Sequence, residues 1–272
     1  MISITFVRNV TIAMKTALIT GASSGIGEEL ASIFANHKIN LVLAARSKDA
    51  LENIAQKLIK DYGITVQVVV GDLSQTEGVQ SLYAYCIQHS IAIDYLVNNA
   101  GFGAGGDFEK GDWQQYAQMI DLNMKSLTHL CHLFLPQMLA RQSGKILNIA
   151  SIAAFMPGPG MNVYFATKAY VLHFSEALHV ELKGSGVSVT ALCPGPTATA
   201  FFENANMNTA KLVKMGLQSV QEVANYGFKS MMNNKRVAIP GFKNKLMMFV
   251  SKISPRSLVM NITKMMNQKA GK

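Results

Sequence analysis

Tyr164 and Lys168 stand four residues apart in "NVYFATKAYV", residues 162–171, a stretch that otherwise reads as buried helix. At that spacing two side chains share one helix face, so an ammonium lies one turn from a phenol. A free phenol releases its proton only near pH ~10, and a neighbouring positive charge favours the phenolate, so the pair could exchange a proton with a substrate oxygen closer to neutrality. A lysine that buries its stem and lets its head reach water explains a lone Y-x-x-x-K equally well. Context separates the two readings. Of the eight tyrosines only Tyr164 has lysine at i+4, and it follows by thirteen residues Ser151, the serine that ends the strand-like run "GKILNIA".

A second chemical signal lies near the start. "TGASSGIG" places Gly21, Gly25 and Gly27 between a short β-branched run and a helical stretch. Glycines there permit a tight turn and let backbone amides, together with the positive end of the helix, approach a pyrophosphate. Gly21, Ser23, Ser24, Gly25, Ile26 and Gly27 are the candidate phosphate cradle. About twenty residues on, the next run ends in "LAARSK". An acid at this place suits the adenosine ribose hydroxyls of NAD, whereas an arginine suits a ribose 2′-phosphate. Arg46 stands there, and no Asp or Glu precedes Asp49 within that run, so NADP(H) is favoured over NAD(H).

These residues need a frame. Seven short apolar runs, "KTALIT", "INLVLAA", "ITVQVVV", "IDYLVNN", "GKILNIA", "VSVTALC" and "RVAI", alternate with segments long enough for crossover helices. They are apolar nearly throughout, the pattern of strands covered on both faces, and they predict an α/β, doubly wound parallel sheet of the Rossmann type in a single domain. Ligands of such sheets bind outside the carboxyl ends of the strands. The expected organisation is an N-terminal extension at 1–14, a dinucleotide-binding and catalytic domain at 15–242, and a basic amphipathic tail at 243–272. With 49% hydrophobic residues in 272, a substantial core is expected. Cys86, Cys131 and Cys193 are odd in number and set among apolar neighbours, as free buried thiols in a reducing, cytoplasmic location would be. No metal is expected. The first residues lack a secretory cleavage pattern, and Met14, just before the first strand, is a plausible alternative start.

In order along residues 15–240, the glycine motif, "GDL" with Asp72, "NNAG" at 98–101, Asn123 in "DLNMKS", Ser151, "YFATK" and "PGPTAT" from Pro194 are each weak alone. As an ordered set the chain resembles a single-domain short-chain dehydrogenase/reductase. The resemblance implies Tyr164 as the acid in carbonyl reduction and base in oxidation. It implies Lys168 on the nicotinamide ribose, Ser151 on the substrate oxygen, and Asn123 holding a water beside Lys168. Asp72 would contact adenine, Asn98 the adenosine side and Thr199 the carboxamide. One departure is Ser24, where NADP-preferring members often carry a basic residue, so the preference rests mainly on Arg46. Candidate substrate walls are Phe102, Phe155, Met156, Met161, Phe201 and Phe202, which favour a hydrophobic ketone or aldehyde.

Two other readings compete with this one. A nucleotide-sugar epimerase or dehydratase needs an appended substrate domain, and only about thirty residues follow "RVAIPG". A non-catalytic dinucleotide-sensing regulator would not need Ser151, Tyr164 and Lys168 together. The net charge of +9 belongs to the tail: Val223 to Lys272 holds ten basic residues and no acidic one. This tail is rich in Met rather than in interleaved aromatics, so no nucleic acid is expected. "NKLMMFVSKI" and "RSLVMNITKMMNQK" can form apolar helical stripes, expected to pack on the enzyme's own sheet or on another copy in a homo-oligomer. Contact with an anionic membrane surface is the second reading.

Overall fold

The computed structural model describes residues 14–205, 207 and 216–268. The expected N-terminal extension and alternative start, apart from Met14 itself, lie outside the described residues, as does the side chain of Phe202.

Each of the seven apolar runs forms a strand: β1 (Thr16–Thr20), β2 (Asn40–Ala45), β3 (Val66–Val70), β4 (Tyr95–Asn98), β5 (Gly144–Ile149), β6 (Val187–Leu192) and β7 (Val237–Ala238). They make one sheet in the order β3-β2-β1-β4-β5-β6-β7, and every pairing is parallel. The crossovers include α1 (Gly25–Asn36), α2 (Lys48–Tyr62), α3 (Thr76–Gln88), α4 (Trp113–Ile120), α5 (Leu127–Ala140), α6 (Asn162–Glu181) and α7 (Val220–Met232). Two further helices close the chain, α8 (Phe242–Ile253) and α9 (Arg256–Asn267).

The runs are apolar on both sides because each face of the sheet has its own core. Alternate residues of a strand point to opposite faces. Leu18, Val42, Leu96, Ile146 and Val189 join Phe134 of α5 and Val171 of α6 on one side. Ile19, Leu43, Val97, Leu147 and Leu192 meet Phe34 of α1, Leu58 of α2 and Phe228 of α7 on the other. The order reverses between β1 and β4. There the loops after adjacent strands diverge and leave a crevice at the carboxyl edge, which is where a doubly wound sheet binds its ligand.

Candidate active site

The crevice opens into a cavity of about 380 Å³ lined from both sides of the switch point. Its cradle end is the turn after β1. Gly21 and Gly25 adopt left-handed backbones, φ 63° and 58°, which only glycine takes without strain. Gly27 is set by proximity instead: a Cβ there would lie 2.3 Å from the Gly21 carbonyl oxygen. Gly21, Ser23, Ser24, Gly25 and Ile26 line the cavity. Ser24 caps α1 without a side-chain hydrogen bond, so the first-turn amides of the helix have no capping side chain of their own. Arg46, exposed at the end of β2, and Asp72 after β3 stand on the same rim. Asp72 Oδ1 accepts from the Ser74 amide and hydroxyl, both at 2.9 Å.

The other end carries the polar side chains of α6. Tyr164 and Lys168 both face the cavity and are both buried, with Lys168 Nζ 5.8 Å from the Tyr164 ring centre. Lys168 Nζ donates to the Ile149 carbonyl at 2.8 Å. Burial holds its ammonium down to about 8, with Cys193 acting weakly in the other direction. The sequence led us to expect that this ammonium lowers the phenol. Instead burial pushes Tyr164 up to about 12, and the opposing influence is a hydrogen bond with Ser151. Desolvation of the buried ring dominates, and Lys168 Nζ donates to a carbonyl of β5. Ser151, at the end of β5, caps a short 3-10 turn (Ile152–Phe155) by accepting from the Ala153 amide at 3.1 Å. Burial also pushes the thiols of Cys131 and Cys193 up to about 12, and all three cysteines are free and buried.

Several assigned residues support the cavity from behind. Asn123 lies in a π-helical turn, Asp121–Ser126, between α4 and α5. Its amide clasps the Phe102 backbone, accepting at 3.1 Å and donating at 2.9 Å, and also donates to Thr167 at 3.1 Å. A Cβ on Gly101 would meet Asn123 Oδ1 at 2.8 Å and Lys168 Nζ at 3.5 Å, so Asn123, the loop after β4 and Lys168 form one packed corner.

Two expectations are corrected. Asn98 does not line the cavity. Its alternation on β4 turns it into the core, where it donates to Asn148 at 2.9 Å. The neighbouring Asn99 lines the cavity and ties the cradle down, donating to the carbonyls of Thr20 and Gly21 at 3.0 Å each. Phe155 likewise packs on the core, beneath Lys252, while Phe102, Met156, Met161 and Phe201 do form walls.

Sequence reasoning missed Thr20, whose hydroxyl accepts from the amides of Asn99 and Ala100 and so joins β1 to β4 at the switch point. A buried hydroxyl ending the strand before the glycine turn was its signal. It also missed the roof. Met247 of α8 and Thr263, Met266 and Asn267 of α9 line the cavity. Asn267 Nδ2 donates to the Pro159 carbonyl at 3.0 Å, and Asn244 Nδ2 donates to Gln218 and to the Pro240 carbonyl, both at 2.8 Å.

Comparison with known proteins agrees with this geometry. The family profile described as short chain dehydrogenase matches residues 15–210. A Staphylococcus aureus protein named as an uncharacterized oxidoreductase is 35% identical over 215 residues, covering 78% of this chain and 90% of its own length. A short-chain dehydrogenase from Sphingobium yanoikuyae, solved in complex with NADPH, superposes with a TM-score of 0.79 at 30% identity, over 90% of this chain and 98% of that one. A bulky-bulky ketone specific alcohol dehydrogenase from Comamonas testosteroni follows at TM-score 0.74 and 29% identity, over 90% and 96%.

Proposed function

The chain belongs to the short-chain dehydrogenase family, acting on alcohol and carbonyl groups with a nicotinamide dinucleotide, and on that premise we propose that it reduces a hydrophobic ketone or aldehyde with NADPH. The observation that carries the reading is one cavity with a glycine cradle and Arg46 at one end and Tyr164, Ser151 and Lys168 among Phe and Met walls at the other.

The residues present fit such a cofactor: glycines at φ values that side chains would strain, helix amides without a capping side chain, and a cation on the adenosine rim. When bound, the dinucleotide supplies or accepts the hydride. The chain does the rest. A phenol pushed up by burial keeps its proton at neutral pH, so Tyr164 can donate to an alkoxide developing on the substrate in the reduction direction. Ser151 donates to the same oxygen in this scheme. Lys168 and Thr199 orient the nicotinamide end, Asp72 and Arg46 the adenosine end, and Asn123 holds a water beside Lys168. Arg46 supports NADP(H) over NAD(H) because a guanidinium can bond a 2′-phosphate through two charge-assisted contacts.

Tyr164→Phe preserves the ring packing against Phe201 and removes only the donor. NADPH-dependent reduction of a broad panel of apolar carbonyls should fall by about 10²–10⁴-fold, with NADPH affinity, measured by fluorescence, nearly unchanged. Normal turnover in this variant would remove the mechanism, and a wild-type enzyme that prefers NADH would show that Arg46 does not set the cofactor.

A further inference from the structure

The last two helices have a second side. In α8, Asn244, Met247, Met248 and Ser251 turn inward. At ~100° per residue, Phe242, Leu246, Phe249, Val250 and Ile253 lie about 180° away. All five are exposed, Phe242 by 78% and Ile253 by 69%. In α9, Val259 and Thr263 are buried while Leu258, Ile262 and Met265 are exposed. Scattered apolar side chains on a surface need no explanation, but an exposed apolar stripe along a helix, repeated on the next one, does.

We propose that this outward face docks on an anionic lipid surface. Lys243 and Lys245 flank the α8 stripe on either side, Lys252 lies on the same flank as Lys245, and Arg256 and Lys264 lie off the stripe on α9. Lys245 and Lys252 also cover the Tyr226 and Phe155 rings, which leaves Lys243 as the flanking charge with no ring beneath it among these contacts. No acidic residue follows Glu222. Apolar side chains bordered by lysines are the pattern of a helix lying in a bilayer interface, where each basic residue near anionic headgroups adds attraction. The helices are twelve residues each, ~18 Å long, and no described helix is long and apolar enough to cross a membrane, so they lie on the surface rather than span it. A second copy fits this face less well. A two-fold contact sets the same patch against itself and would crowd like charges around the apolar centre.

The docking claim is independent of the oxidoreductase reading and is tested without turnover. Full-length protein is co-sedimented with phosphatidylcholine vesicles that contain or lack phosphatidylglycerol. Binding is expected on the anionic vesicles, about tenfold or more weaker on neutral ones, and weaker in high salt. Phe249→Glu/Ile253→Glu should abolish it with the melting temperature retained, since both side chains project into solvent. Leu258→Gln/Met265→Gln is the second variant should the first fail to fold. A wild type that stays in the supernatant, or variants that bind as well as wild type, would overturn the proposal. So would a dimer that either variant dissociates without any vesicle binding, which assigns the face to a second copy.

Discussion

Lys168 is held in the cavity at a cost to folding. Its ordinary value of 10.5 falls to about 8 on burial, so between those pH values the unfolded chain binds more protons than the folded one. Stability from this group therefore rises with pH across that window, and below about pH 8 the full penalty of a buried charge is present. The shift corresponds to something on the order of 3 kcal/mol, from which loss of the hydrogen bond to Ile149 subtracts about 1 kcal/mol. Lys168→Met should accordingly melt higher than wild type at pH 7, with the difference shrinking toward pH 9, while carbonyl reduction collapses. Thermal scans across that range check it, and a variant that melts lower, or a gap that ignores pH, would sink the argument. Tyr164, raised from 10 to about 12, contributes in the opposite sense only above pH 10, outside the range tested. The pairing of Tyr164 with Lys168 was legible as an i, i+4 spacing. The direction of the phenol's shift was not, because it follows from how completely the assembled fold buries the ring.

Among the elements, the strands were legible almost to the residue, since burial on both faces writes an uninterrupted apolar run. Helix faces were less so. In "NKLMMFVSKI" a single apolar stripe was expected, and the helix instead divides it: Met247 turns to the cavity while Leu246, Phe249 and Val250 face out. Periodicity counts apolar positions but does not say what covers each, and here the cover is the turn Ile152–Phe155. The Asn98 assignment failed for a related reason, since one step along β4 exchanges core for cavity. If α9 roofs the substrate end, its inward residues set the size of what fits. Met266→Trp fills part of the cavity that its side chain lines. It should lower kcat/KM for a ketone with two bulky substituents by about 10–100-fold and leave a small aldehyde and NADPH affinity nearly unaffected. Equal losses on both substrates would place Met266 outside the substrate's reach.

At the scale of the whole molecule, the charge asymmetry between the body and the last fifty residues was plain in the sequence. Its consequence depends on the fold, because α8 and α9 present one face to the cavity and the other to solvent. The wall of the substrate end is thus the inner side of the face proposed to meet lipid. An enzyme docked through this face works at the surface in which an apolar carbonyl compound concentrates. For a long-chain ketone carried in anionic vesicles, kcat/KM should exceed that in neutral vesicles by about tenfold, following the difference in bound enzyme. The same ratio should approach one for Phe249→Glu/Ile253→Glu, whose turnover of a water-soluble aldehyde should match wild type because neither side chain lines the cavity. Rates are followed by NADPH absorbance at fixed lipid. An anionic stimulation that survives in the variant would separate catalysis from the docking face, and a loss of aldehyde turnover in the variant would show that the outer face also holds the roof in place.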